Sequence, residues 1–290
     1  MTSATSPRGS ELATGLRASF RNGLAALAIG VLATSAGAQE QQVQAELQRV
    51  DLELVLAVDV SQSMDYDEHQ LQRDGYAAAF RHQDVLDAIL FGPRGRIAVT
   101  YMEWGDAYDQ VQIAPWTLIA SREDAETFAT ILESERIYPS QRTSISRALL
   151  RAADMMDDNG YDGVKRVIDV SGDGPNNTGP GVEEARDAVA ARGVTINGLP
   201  IMLKEEDSWY DIPNLDYYYE DCVISGPGAF VAPVDDLDQL GATIRGKLVL
   251  EIVGLPARVH RAQLLEPEGE RSDCMIGEKL WQSRGGRFFR

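Results

Sequence analysis

The sequence predicts an α/β protein: a doubly wound, mostly parallel sheet with one antiparallel edge strand and helices on both faces. Three observations carry this. Leu52 to Val58 is apolar at nearly every position, and Val164 to Val170 is a second strand-like run; runs apolar on both faces belong inside parallel sheets covered by helices. Between and after them lie segments whose apolar residues recur at three or four, which is helical spacing. The turns that leave the strands are rich in small polar residues, at the sheet edge where open α/β folds place their ligands.

The elements follow in order. After Leu52 to Val58, a helix is expected from about Asp67 to Arg81, with Leu71, Gly75 and Ala78 on one face. Arg96 to Trp104 and Gln110 to Leu118 read as strands, and the short connection Gly105 to Asp109 favours a hairpin and so an antiparallel edge. Helices are expected at Glu123 to Glu135 and Ser144 to Asp157. The strand Val164 to Val170, the helix Val182 to Ala191 and the strands Val194 to Ile201 and Ala229 to Val231 come next. Asp235 then reads as the cap of a last helix carrying Leu237, Leu240, Ile244 and Leu248. Alternating strands and helices imply the doubly wound arrangement.

Composition bounds the rest. The chain has 290 residues, 44% hydrophobic and 25% charged, enough for one globular domain with a sizeable core. A formal charge of −18 argues against nucleic acid, whose binding rests on basic patches, and disfavours anionic membranes. Arg8, Arg17 and Arg21 precede the apolar stretch Gly23 to Thr34 and then Ala36-Gly37-Ala38, the parts of a secretory signal with its cleavage site. The apolar stretch is short of the ~20 residues a membrane span needs, so export to the periplasm or medium is expected, without a transmembrane anchor after cleavage. Cleavage after residue 38 would leave 24 basic and 44 acidic residues, a formal charge of −20. The division is then a signal peptide over 1–38, a linker over 39–50, a domain over 51–254 and a polar tail over 255–290. Cys222 and Cys274 suit an oxidising compartment. They are expected to pair and pin the tail; the alternative is two unpaired thiols.

The first strand runs into Asp59-Val60-Ser61-Gln62-Ser63. Oxygen donors at alternate positions on a turn can face one centre, and all-oxygen ligation suits hard cations rather than zinc. The competing reading is helix capping by Asp or Ser, and a plain N-cap is the alternative for Thr143 as well. Thr143 stands at the head of a helical segment with Ile145, Ala148, Leu149, Ala152 and Met156, and Asp173 lies in Ser171-Gly172-Asp173-Gly174 after a strand. Asp-x-Ser-x-Ser, a helix-opening Thr and a strand-ending Asp-Gly together resemble the von Willebrand factor A domain and its metal-ion-dependent adhesion site, over roughly Asp51 to Gly254. Val-Ser-Gly-Asp-Gly-Pro-Asn-Asn and Gly-Pro-Gly-Ala-Phe-Val near position 230 are similar to an exported bacterial branch of that superfamily with no assigned function.

The resemblance implies that Ser61, Ser63 and Thr143 supply hydroxyls to a divalent cation while Asp59 and Asp173 bind it directly or through water. Mg²⁺ is the expected ion, with Ca²⁺ and Mn²⁺ as alternatives. It also implies a protein partner that presents an Asp or Glu to the cation. Asp67 is similar in place to acids that hold a second ion in integrin β subunits; alternatively Asp65, Asp67 and Glu68 decorate a helix's first turn. Glu103, which ends a strand on the ligand edge of the sheet, is a candidate to flank the site, and Asp169, whose parity matches Asp173, a candidate to hold a water or a ligand there. For Asp169 the other reading is an ion pair with an Arg of a covering helix.

Rival functions have less support. Haloacid-dehalogenase-like phosphatases carry a second Asp where this chain has Ser61, and no Ser-His-Asp or Cys-His set is evident among His69, His82 and His260. Gly172-Asp173-Gly174 does not continue as a nucleotide-binding glycine motif. A solute-binding protein usually needs two lobes, and one is visible. The expectation is therefore a binding domain and not an enzyme; the alternatives are a metal-dependent hydrolase of phosphatase type and a solute-binding protein.

Overall fold

The computed structural model describes residues 46–203, 212–254 and 271–285. The expected signal peptide lies outside the described residues, as do residues 39–45 of the linker. The strands are β1 (Gln48–Asp59), β2 (Ile97–Trp104), β3 (Gln110–Ile119), β4 (Tyr161–Gly172) and β5 (Thr195–Pro200). The helices are α1 (Tyr66–Arg81), α2 (Gln83–Leu90), α3 (Arg122–Ser134), α4 (Ile145–Met155), α5 (Val182–Ala191), α6 (Leu215–Tyr218), α7 (Leu240–Val253) and α8 (Ile276–Gly285). The strands form one sheet in the order β3, β2, β1, β4, β5, with β3 antiparallel to β2 and every other pair parallel.

β1 is central because both its faces are apolar. Leu52, Leu54, Leu56 and Val58 pack with Tyr76 and Phe80 of α1, Ile89 of α2, Phe128 of α3 and Leu248 of α7. Val55 and Ala57 pack on the other side with Ile145 and Leu149 of α4 and Val189 of α5. The period-two alternation of a strand thus feeds two cores from one sequence run. Parallel pairing aligns the carboxyl ends of β1, β2 and β4: Asp59 lies opposite Trp104, and Val58 opposite Ser171.

Several elements differ from expectation. β1 starts at Gln48, paired with Tyr161, so residues 48–50 belong to the sheet and not to the linker. α2 was not expected, since eight residues are too few for a helical period to stand out; His82 caps it by accepting from the Asp84 N–H. Ala229 to Val231 is no strand: Gly198 with Val231 and Ile201 with Val234 are isolated bridges. The last helix is capped by Asp236, not Asp235, through the 3₁₀ turn Leu237–Gln239 that precedes α7. In the tail, α8 follows a disulfide between Cys222 and Cys274, with S–S 2.00 Å and Cα–Cα 5.5 Å. No helix among the described residues is long and apolar enough to cross a membrane.

Candidate metal centre

Three loops meet at the carboxyl edge of the sheet. The first leaves β1 at Asp59, the second runs from Ser140 to Ser144 ahead of α4, and the third leaves β4 at Asp173. Backbone bonds join the first two, with the Ser140 N–H donating to Val60 O at 2.8 Å and the Gln62 N–H to Ser140 O at 2.7 Å. The third is tied to the second through Asn177. Its N–H donates to Thr143 O at 2.9 Å, and its side-chain oxygen accepts from the Thr143 N–H at 3.1 Å.

Four of the five candidate ligands are linked by direct bonds. The Ser61 N–H donates to Asp59 Oδ1 at 2.7 Å, the Ser61 and Ser63 hydroxyls are 2.8 Å apart, and the Ser63 hydroxyl donates to Asp173 Oδ1 at 2.5 Å. Thr143, buried, is held in place by Asn177. It is not the cap of α4: that position is Ser144, and α4 has no side-chain capping bond. The capping reading also fails for Asp59, Ser61 and Ser63, because Asp65 caps α1 in a reciprocal box with Glu68.

Electrostatics at this edge favour a cation. Asp59 is fully buried and its Oδ2 has no hydrogen-bond partner. Burial, then the like charge of Asp173, push its carboxyl well above the ordinary value, against the opposing Ser61 N–H. Such a group is costly to keep ionised without a partner. Among the described residues no group of three or more His, Cys, Asp or Glu is arranged as a metal site; the carboxylates of Asp59 and Asp173 stand here with the hydroxyls of Ser61 and Ser63.

Sequence reasoning missed Tyr219, which opens a π-helical turn (Tyr219–Val223) after α6. Its buried hydroxyl, like Asp59 Oδ2, has no hydrogen-bond partner. A Cβ placed on Gly172 would sit 2.8 Å from Asp59 Oδ2 and 3.0 Å from the Tyr219 hydroxyl, so the glycine leaves the space these two atoms share. Burial, then the charges of Asp59 and Asp173, raise the phenol well above its usual value and keep it a donor. The signal was the tyrosine run at 217–219, in an acidic segment that follows a strand. Asn176 and Asn177 were also missed, although Asn-Asn after Asp173 marked the segment.

The remaining candidates are engaged elsewhere. Glu103 forms a buried ion pair with Arg73 of α1, the Arg73 Nε donating to its Oε1 at 3.0 Å, and Arg73 also donates to the Glu135 carbonyl. Asp169 lies 2.6 Å from the Lys247 Nζ of α7, so the partner on the covering helix is a lysine and not an arginine. Asp67 is exposed in the first turn of α1, beside the capping pair. Its neighbours Asp65 and Glu68 form the capping box of that helix.

A mostly parallel sheet wrapped by helices on both faces, with one antiparallel edge strand, is the von Willebrand factor A fold. Residues 49–256 match the family described as protein of unknown function (DUF1194), and the chain belongs to that family. No curated protein matches the sequence. Among solved structures, proximal thread matrix protein 1 from the mussel byssus is 14% identical, with 71% of this chain and 49% of that one covered and a TM-score of 0.52. The pilus adhesin SpaC from Lactobacillus rhamnosus GG is 12% identical over 71% of this chain and 31% of that one, with a TM-score of 0.53. A von Willebrand factor type A protein from Catenulispora acidiphila is 16% identical over 70% and 43%, with a TM-score of 0.49. The likeness is one of fold, and this chain spans about half or less of each solved protein's length.

Proposed function

We propose that this chain is an exported protein-binding domain, not an enzyme, that holds a divalent cation at Asp59, Ser61, Ser63, Thr143 and Asp173 and uses it to bind a carboxylate of a partner protein. The observation that carries the reading is the buried, unpartnered Asp59 Oδ2 beside a chain of hydroxyls that ends on Asp173. Two carboxylates only neutralise a divalent ion and hydroxyls add no charge, so the bound ion would remain an acceptor for one more anionic oxygen. Mg²⁺ fits this oxygen donor set best. One structure of the mussel byssus protein holds zinc in its MIDAS motif, a property of that protein. The residues divide the work: Asp59 and Asp173 supply charge, the hydroxyls supply neutral oxygens, and Asn177 with the Ser140 loop fixes the spacing. Export rests on the N-terminal signal pattern and the paired cysteines.

The test is thermal denaturation with Mg²⁺, Mn²⁺, Ca²⁺ or EDTA, for the natural chain and for Asp59→Ala. Cation at about 100 times its dissociation constant adds roughly 2.7 kcal/mol, which for a domain of this size raises Tm by roughly 5–10 °C. Asp59→Ala should show no rise. Equal responses from the two proteins would remove the site assignment. Partner affinity that is the same in Mg²⁺ and in EDTA would remove the adhesion mechanism and leave the fold.

A further inference from the structure

The C-terminal tail, outside the span 49–256 that matches the family, touches the structure next to the metal centre. Three contacts bring it there. Glu278 of α8 accepts from Asn176 Nδ2 at 2.7 Å, while the Asn176 side-chain oxygen accepts from the Ser146 N–H at the start of α4 at 3.0 Å. Asn176 adjoins Asn177, which holds Thr143, and lies three residues beyond Asp173. The Trp281 ring lies 4.1 Å from the Arg142 guanidinium, and Arg142 directly precedes Thr143. The Tyr218 hydroxyl accepts from the Asn176 N–H at 3.2 Å and reaches Cys274 O at 3.5 Å, and Tyr218 adjoins Tyr219 beside Asp59.

We propose that residues 274–281 form a strap, locked by the Cys222–Cys274 disulfide, that positions the Asp173 and Thr143 loops for the cation; this rests on the metal-binding reading above. The physical basis is preorganisation. A site built from three loops loses affinity when binding must first order them. The strap holds two of those loops through side chains one to three residues from Thr143 and Asp173, and the disulfide joins it to the turn that carries Tyr219. The fit leaves no slack, since a Cβ on Gly277 would lie 2.1 Å from Asn176 O, a backbone atom that cannot swing aside. Opening the disulfide should therefore loosen the centre as well as the tail, so that cation affinity depends on the oxidation state of two cysteines that are not ligands.

The test is titration calorimetry of the full oxidised chain with Mg²⁺, alongside Gly277→Ala, the double variant Glu278→Ala/Trp281→Ala, and the natural chain reduced with dithiothreitol. The control is Arg81→Ala, which breaks the exposed pairs of α1 with Glu126 and Glu133 far from the strap and lowers stability alone. Groups that orient metal ligands typically contribute about 10–100-fold to affinity, and these act one residue further out, so Mg²⁺ affinity should fall about 5–10-fold in both variants and on reduction, but not in the control. Gly277→Ala displaces the helix while the double variant keeps its backbone, so a folding failure in one leaves the other decisive. If the natural chain binds Mg²⁺ and every strap variant stays within about twofold of it, the strap proposal is wrong and the metal centre stands. If the natural chain itself neither binds nor is stabilised by Mg²⁺, the metal reading fails and the strap goes with it.

Discussion

Replacing Lys247 with methionine should be among the most damaging single changes in this fold. The Lys247 side chain is 1% exposed, and its Nζ lies 2.6 Å from Asp169 Oδ1 and 2.5 Å from Glu251 Oε1. Both carboxylates are as buried as the ammonium. Asn197 donates to Glu251 at 2.9 Å, the Tyr76 hydroxyl reaches Asp169 at 3.5 Å, and the Phe230 ring lies 5.4 Å from Lys247. Methionine keeps the length and removes the charge, leaving two carboxyls without their shared cation, and breaking a buried pair this way costs about 3–5 kcal/mol. The loss should depend on pH. Burial, then Asp169, raise Glu251 to about 7, and burial raises Asp169 as well. The folded state therefore holds a proton on Glu251 that the unfolded state releases near 4.5, and stability falls as pH rises from there to about 7, Glu251 contributing at most about 1.4 kcal/mol per unit. Glu251→Gln should remove this part of the slope. In Lys247→Met the deficit should be larger at pH 8 than at pH 5, where both carboxyls can take up protons. Urea denaturation of the three proteins between pH 5 and 8 measures all of this. A Lys247→Met loss under about 1 kcal/mol at pH 8, or a Glu251→Gln slope equal to that of the natural chain, would refute the reasoning.

Two further outcomes concern the cation. Gly172→Ala would place a Cβ 2.8 Å from Asp59 Oδ2 and 3.2 Å from Asp59 Cβ, so it should cost about 1–3 kcal/mol by overpacking and abolish the Mg²⁺-induced rise in Tm although no ligand is altered; a full rise in the variant would show that Asp59 does not need this geometry. Thr143→Ala should cost only about 1 kcal/mol in urea, the ordinary size for a point substitution, since the buried hydroxyl caps no helix, while weakening Mg²⁺ binding severalfold in calorimetry. Unchanged binding would take Thr143 out of the shell.

Much of the fold was legible because it rests on patterns that a run of residues expresses alone. The run Leu52 to Val58, apolar on both faces except at Glu53, is the mark of a buried parallel strand. The short Gly105–Asp109 connection allows β3 to pair with β2 only in the antiparallel sense. Asp59, Ser61 and Ser63 were legible for the same reason, lying on one turn with their spacing written in the chain. α2 and α8 were not: eight residues are too few for a period to stand out in α2, and α8 lies in a polar tail without a clear apolar repeat.

What the sequence could not express is which distant loops share one edge of the sheet. Asp173 reaches Ser63 across 110 positions, and that pairing follows from strand order, which places β4 beside β1. The fates of Glu103 and Asp169 were decided likewise. Both stand at strand positions that look ready to serve the site, yet α1 brings Arg73 to one and α7 brings Lys247 to the other. A buried carboxylate takes whichever cation the packing supplies, because leaving it unpaired costs several kcal/mol. Tyr219 belongs to the same class, its hydroxyl placed beside Asp59 by a turn that begins 160 residues later. The sequence by itself determined the fold class, five of its strands and the first half of the site; the tertiary structure decided the strand order, which polar side chains face that site and which are neutralised behind it.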